Sequence, residues 1–599
     1  MPALQYTIVA HNPSAHLFQV TCTVTDWQAD EIVFRLPNWI PGSYMIREFA
    51  RHIVRIEAFD AEGEVALEKL DKCRWRAKKS TAQLTLRYKV YAWDLSVRAA
   101  HLDDTHGYFN GTSVFLLPEG GEDVPCELQI EAPPISVGEA WQVATSLESV
   151  AVDERGFGRY RAQNYEDLID HPVEMGSFER FEFTACGVPH ELVLSGIYRT
   201  DGERICTDLQ RICEYHIQFF GEPAPFDRYV FLTMVVGDGY GGLEHRFSTS
   251  LLVSRDTLPA PGESIISDRY MEFLGLCSHE YFHAWNVKRM RPHRLATSSL
   301  DVEAHTELLW AFEGITSYYD DLALVRAGLI DKERYLGVLG RTITRVHQGP
   351  GRHVQSVAQS SFDAWTRFYK QDENAPNAIV SYYAKGSLVA LALDLKLREV
   401  SEGTVTLDHL MRELWRRRDE VNGMSESAIE ALASELAGQD LTAFFQLAVH
   451  GTDDLPLAAL FDQVGVALLW RHAKKAAVDI AGRATPGKLP LAQGLRLRYS
   501  SPLTEVTHVL TDSAAQRAGV SAGDTLIAFD GVKASEKNVA DCLARRHAGD
   551  SIELVLFRRD ELQYRTLVLK AAVADHASLE VAKGQIDRVD NWLSIAAST

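Results

Sequence analysis

The chain has 599 residues, 46% hydrophobic and 24% charged, an ordinary globular composition in a chain too long for one core. Its net charge of −21 excludes a surface built to bind nucleic-acid phosphates or anionic lipid. A length of this order implies about three to four domains.

The first residues, MPALQYTIVAHNPSAHLFQVTCTV, alternate like a strand and lack the basic-then-apolar layout of a signal peptide. No apolar run reaches the roughly 18 residues of a membrane span. Eight cysteines are scattered without CxxC spacing and read as reduced core thiols, which favours a cytoplasmic location. Residues 1–175 hold alternating segments such as LFQVTCTVTDW and AQLTLRYKVYAW between turn clusters, the pattern of an all-β sandwich. A second domain is expected over 176–470. It begins with mixed strands (YVFLTMVVGDG) and a helix near 204–219. Helical periodicity then predicts helices over 265–290, 302–326, 331–348, 380–400, 406–420, 425–437 and 441–449. Residues 471–493 are rich in small residues, Pro and Gly and read as a linker. Residues 494–575 form a compact unit of strands and short helices, and 576–599 read as a peripheral tail.

The chemistry is signalled at His279-Glu280-Tyr281-Phe282-His283. On a helix, positions i and i+4 share a face, which suits two imidazoles on one zinc ion. Glu280 then lies beside the metal, where its carboxylate can take a proton from an activated water. A third protein ligand is needed, leaving one position open. The following segment, DVEAHTELLWAFEGITSYYDD, offers Glu303, Glu307 and Glu313. Glu313 sits in Trp310-Ala311-Phe312-Glu313-Gly314, the apolar surroundings a ligand needs and a solvated helix face avoids. It is the preferred third ligand. Glu303 is the runner-up on spacing, and Glu307 reads as an exposed helix charge.

The strings HEYFHAWNVKRMRP and WAFEGITSYYDD resemble the glycyl aminopeptidase family of gluzincin metallopeptidases, as do LPNWIPGSYMIREFARHI, GGLEHRFS and SYYAKGSLVALALDL. The resemblance covers about residues 1–575. It implies a multidomain α+β chain: an N-terminal β domain, a thermolysin-like, mainly helical zinc-peptidase domain, and a C-terminal PDZ domain. It implies one zinc ion, peptide substrates, and small first residues such as glycine or alanine. Glu244, in Gly241-Gly242-Leu243-Glu244-His245, takes the role of binding the substrate's α-ammonium. Tyr383, in Tyr383-Ala384-Lys385-Gly386, takes the role of donating to the oxyanion. The His283-to-Glu313 gap is longer than in the best-known gluzincin aminopeptidases, implying an inserted loop. SAAQRAGVSAGDTLIAFDG resembles the PDZ signature, with Gly494-Leu495-Arg496-Leu497 a weak counterpart of its carboxylate loop, so a C-terminal peptide is a possible ligand of that unit. Two alternatives stay open: an endopeptidase of the same fold, and a PDZ-bearing protein that binds peptides without cleaving them.

Overall fold

The structure, a computed structural model, describes residues 3–79, 81–134, 140–418, 423–472, 491–500 and 502–594. The expected linker 471–493 lies almost wholly outside them. The chain divides into two compact units: residues 1–305, 319–330 and 411–425, and residues 306–318, 331–410 and 426–599.

The first unit opens with a β sandwich. An eight-stranded sheet is built around strands Ala3–Asn12, Leu17–Thr25 and Gln83–Tyr91, joined by two four-stranded sheets. Strand Leu17–Thr25 buries every second residue, as its alternating sequence requires. The inward set, including Tyr6, Phe18, Val20, Leu86, Tyr88 and Phe109, forms one core. Each fully buried aliphatic or aromatic side chain there contributes about 1.5–3 kcal/mol.

A five-stranded sheet follows, ordered Phe178–Ala185, Val188–Gly196, Tyr229–Val236, Ser248–Ser254, Tyr240–Glu244. Its three central strands run parallel, and helix Gly202–Phe220 connects the first two of them. The last strand, Tyr240–Glu244, pairs antiparallel and forms an edge. Helix Asp268–Phe282 packs against this sheet through an apolar face that includes Tyr270, Phe273, Leu274, Leu276 and Tyr281. Its predicted extent to residue 290 is too long. The helix stops at Phe282, with His283 as its cap, because the following residues fold into a tight turn. That turn is closed by Lys288 N donating to His283 O at 3.0 Å and Met290 N to Trp285 O at 2.9 Å. Val287 sits at φ 130°, a strained value for a β-branched residue.

The second unit is mainly helical from Lys332 to Leu410 and again from Ala428 to Gln463. Helix Ala384–Val400 is buried nearly all round, in keeping with its unbroken run of Leu, Val and Ala. The C-terminal portion is a six-stranded sheet with helices Ala514–Arg517 and Glu536–Ala544 and its own core of Val506, Leu526, Ile552, Leu554 and Leu567. The segment expected as a tail is integrated instead. Strand His576–Val581 pairs with Val466–Arg471, and helix Ile586–Leu593 buries Val589 and Trp592. Ala577 N also donates to Thr344 Oγ1 at 2.9 Å, and Arg398 Nη2 to the Trp592 carbonyl at 3.3 Å. The protein is therefore a multidomain α+β chain with an N-terminal β sandwich. No helix among the described residues is long and apolar enough to cross a membrane.

Candidate active site

Helix Asp268–Phe282 starts where Ser267 Oγ accepts from Tyr270 N at 3.1 Å, a side-chain cap of the helix N-terminus. It delivers His279 in its last turn and His283 at its cap, one turn apart. Their Nε2 atoms face each other at 3.1 Å. Each Nδ1 already has an acceptor: Asp320 Oδ2 at 3.0 Å for His279 and the Asn286 carbonyl at 2.7 Å for His283. Those partners assign the ring protons to Nδ1 in both neutral rings and leave bare nitrogens converging. Two lone pairs at that distance repel unless a positive charge sits between them. Two nitrogens on a tetrahedral metal with bonds of about 2.0–2.1 Å lie about 3.3 Å apart, so the observed pair fits a shared ion. Asp320 is half-buried, and desolvation pushes its carboxyl pKa up, while the bond from His279 opposes that rise.

Glu280 turns to the other side of the helix end, onto the edge strand. It is buried, and a Cβ added to Gly242 would collide with its carboxylate, with its Cγ only 2.6 Å away. Only a residue without a side chain lets strand and carboxylate approach this closely. Two residues on, Glu244 faces the same way by strand alternation. It is 4% exposed, and its Oε1 has no hydrogen-bond partner among the described residues. Carboxylate oxygens of Glu244 and Glu280 and a ring nitrogen of His283 lie within 4.8 Å of one another. Gly42, at φ 92°, presses its backbone on Glu244: a Cβ there would be 2.5 Å from one carboxylate oxygen. The buried carboxylate of Glu244 thus keeps a vacant acceptor, which calls for a cation.

A cavity of about 440 Å³ opens on the far side of Glu244, bordered by Trp39, Gly42, Tyr44, Val287 and Lys288. Its deep wall carries the buried pair Lys288 Nζ–Asp170 Oδ1 at 2.5 Å. Burial alone would raise Asp170, but the Lys288 ammonium, then His245 and Arg246, hold its carboxyl well below the usual range. Lys288 is thereby held in a structural ion pair.

In the second unit, Glu313 lies in a wide π-type turn, Trp310–Gly314, and is 2% exposed. Such turns recur at functional sites because they re-aim a side chain within a helix. Trp310 N donates to Ser361 Oγ at 2.9 Å, which holds the turn. Gly314 packs on Gly386: a Cβ on Gly314 would be 2.5 Å from the Gly386 carbonyl carbon. The glycines after Glu313 and after Lys385 are therefore the contact that sets the Glu313 turn against the Tyr383 helix. Tyr383 is half-buried at the start of that helix and stacks on Phe368 with ring centres 5.7 Å apart, while neighbouring Tyr382 is fully buried. Glu303 and Glu307 are exposed, so neither has the apolar surroundings of Glu313.

A protein-family model described as the Peptidase M61 N-terminal domain matches residues 5–177, and one described as M61 glycyl aminopeptidase matches residues 272–389. The crystal structure of an aminopeptidase N family protein from Idiomarina loihiensis is 42% identical, covers 99% of this chain and 100% of its own, and superposes with a TM-score of 0.93. The chain belongs to the M61 peptidase family. Two more distant structures also match. Legionella pneumophila aminopeptidase A with aspartic acid is 13% identical over 75% of this chain and 49% of its own, with a TM-score of 0.47. Yeast LTA4 hydrolase with bestatin is 12% identical over 77% and 70%, with a TM-score of 0.46. Both are too remote for their ligands to bear on this chain. No match to a curated protein was found.

This M61 protein is accordingly a peptidase, a hydrolase of peptide bonds. Within its first unit the structure brings His279, His283, Glu280 and Glu244 together; Glu313 and Tyr383 stand on adjoining elements of the second. Sequence reasoning missed Asp320 and the Asn286 carbonyl, which orient the two imidazoles. Asp320 had one available signal: it follows Glu313 by about two helical turns and so falls on the same face. A backbone acceptor such as Asn286 O leaves no trace in the sequence.

Proposed function

We propose that this M61 peptidase is a zinc aminopeptidase that removes N-terminal residues, small ones such as glycine or alanine among them. The observation that carries this reading is the buried Glu244 carboxylate, which keeps a vacant oxygen and lies within 4.8 Å of Glu280 and His283, next to two imidazoles whose bare nitrogens converge. His279, His283 and Glu313 hold the zinc; the burial of Glu313 and its place on the same helix as Asp320 support it as third ligand. Zinc held there supplies Lewis-acid chemistry, activating water and polarising a carbonyl.

The chain's own residues do the rest. Glu244 binds the substrate's α-ammonium by a charge-assisted hydrogen bond, which sets the first peptide bond beside Glu280. Glu280 takes a proton from the attacking water and returns it to the leaving amine. Burial keeps competing water from its carboxylate. The Tyr383 phenol, protonated at neutral pH, donates to the substrate oxygen as charge builds, a role whose removal typically costs about 10²–10³ in turnover.

The C-terminal unit supports peptide recruitment of the PDZ type: strand Leu495–Ser500 lies at the open edge of its sheet, where an extended peptide can add. All eight cysteines are free thiols, in keeping with a reducing, cytoplasmic setting.

The test compares a free-amine dipeptide amide with its N-acetylated form. Cleavage of the first alone is expected. Equal cleavage of both would remove Glu244 from its role and make the protein an endopeptidase.

A further inference from the structure

The edge strand Tyr240–Glu244 carries a cation that has no counter-charge. Arg98, from the β sandwich, reaches the strand and donates from Nη2 to the Gly242 carbonyl at 3.0 Å. Its Nη1 lies 3.5 Å from where a Cβ on Gly241 would stand. Among the described residues Arg98 forms no ion pair, and its buried Nε has no hydrogen-bond partner. A half-buried guanidinium left this way, at the strand edge in a chain of net charge −21, is held for an anion that arrives from outside.

The strand's register says which anion. Glu280 rests on Gly242, and Glu244 is two residues along on the same face. With the α-ammonium at Glu244 and the first peptide bond at Glu280, the substrate runs from Glu244 toward Tyr240, antiparallel to the strand. Two strand residues span about 6.8 Å. An extended dipeptide spans about 7 Å. Its carboxylate, one residue beyond the scissile bond, therefore reaches the strand edge at Gly241–Gly242, where the guanidinium lies. A longer peptide would pair its next N–H with an outward carbonyl of an edge strand. The Gly242 carbonyl already accepts from Arg98, so the guanidinium stands beside the place where that next residue would pair.

We propose that Arg98 binds the C-terminal carboxylate of the substrate, so that the site is built for dipeptides, gripped by Glu244 at one end and Arg98 at the other. The reaction is unchanged: water adds across one peptide bond and two amino acids leave. The proposal rests on the aminopeptidase reading given above.

The experiment measures kcat/KM for Ala-Ala, Ala-Ala-amide and alanyl p-nitroanilide with the wild-type chain, Arg98→Ala and Arg98→Lys. Wild type should prefer the free dipeptide over its amide by about tenfold or more, the worth of one charge-assisted contact. Arg98→Ala should lower the dipeptide rate about 10- to 100-fold, chiefly through KM, and leave the amide and anilide within about threefold. Arg98→Lys should recover part of the preference, since an ammonium lacks the planar fork. The dipeptide-to-amide ratio is taken within each preparation, so a partly misfolded variant does not alter it. An unchanged ratio in Arg98→Ala overturns the proposal, whether all three rates fall together, as for a residue that only braces the strand, or none does. If wild type cleaves none of the three, the aminopeptidase reading fails, and calorimetry on Glu280→Gln protein then decides the role of Arg98. Tighter binding of Ala-Ala than of its amide, abolished by adding Arg98→Ala, would uphold it; equal binding would overturn it.

Discussion

Gly242→Ala puts the contact between the edge strand and Glu280 under direct test. The new methyl would overlap the Glu280 carboxylate and stand 2.6 Å from its Cγ, where an ordinary contact is near 3.5 Å. Relief requires a shift of about 1 Å by the carboxylate or the strand, and a displacement of that size at a reacting group costs about 100-fold. Glu280 is buried and cannot swing into solvent to escape. The three atoms nearest that methyl all belong to Glu280. The variant should therefore keep its metal content, measured by plasma mass spectrometry, and lose about 100-fold in kcat on an alanyl anilide. Gly241→Ala is the matched control. Its Cβ meets only an Arg98 nitrogen at 3.5 Å, an ordinary contact, so anilide turnover should stay within about threefold of wild type. A Gly242→Ala enzyme with near-normal kcat, or a Gly241→Ala enzyme equally impaired, would refute the placement of Glu280 on this strand.

Gly42→Ala would force a left-handed backbone on alanine and push against the Glu244 carboxylate, which predicts a stability loss of about 1–2 kcal/mol and a raised KM for free-amine substrates. An unchanged KM would show that Gly42 does not set Glu244. Asp320→Asn removes the charge that orients His279 and should weaken metal affinity about 10- to 100-fold in a chelator competition; an unaltered affinity would exclude that role. Glu280→Gln should retain the metal and lose about 10²–10⁴ in kcat, and substantial residual turnover would exclude it as the base. Two histidines behind the metal helix predict the acid limb of stability. Burial lowers His190 to about 4 and His216 to about 3; they pair with Tyr281 Oη and Ser278 Oγ, each at 2.9 Å. Both are neutral when folded but take up a proton when unfolded below about 6.5, so their contribution is whole above that pH and falls as pH drops. Each should cost about 1.4 kcal/mol per pH unit between 6.5 and its folded value. Urea midpoints that stay flat from pH 7 to 5 would contradict this.

The helix Asp268–Phe282 was legible because HExxH and its apolar neighbours combine two periodic signals in a few residues. Glu313 was legible for a related reason: an acid among Trp, Ala, Phe and Gly has no good reason to face solvent, and it is buried. What the sequence hid are contacts between segments far apart in the chain. WIPGSY shows no link to Glu244 in the sequence, yet its Gly42 presses on that carboxylate. Arg98 lies among unremarkable residues, and only the fold shows it bonded to Gly242. The end of the metal helix was overestimated because residues 283–290 keep helical-looking composition while their backbone hydrogen bonds close a turn. The C-terminal strand was missed because its partner lies before the linker, so pairing rather than periodicity defines it.

The central claim is that this M61 chain is a zinc enzyme working on free amino termini. Its most direct test is a zinc titration of metal-stripped wild-type protein, followed by hydrolysis of alanyl-alanine amide beside its N-acetylated form. The expected result is activity on the free amine that rises to a plateau at about one zinc per chain, with the acetylated peptide untouched. Full activity in the stripped protein, or equal cleavage of the acetylated peptide, would contradict the account.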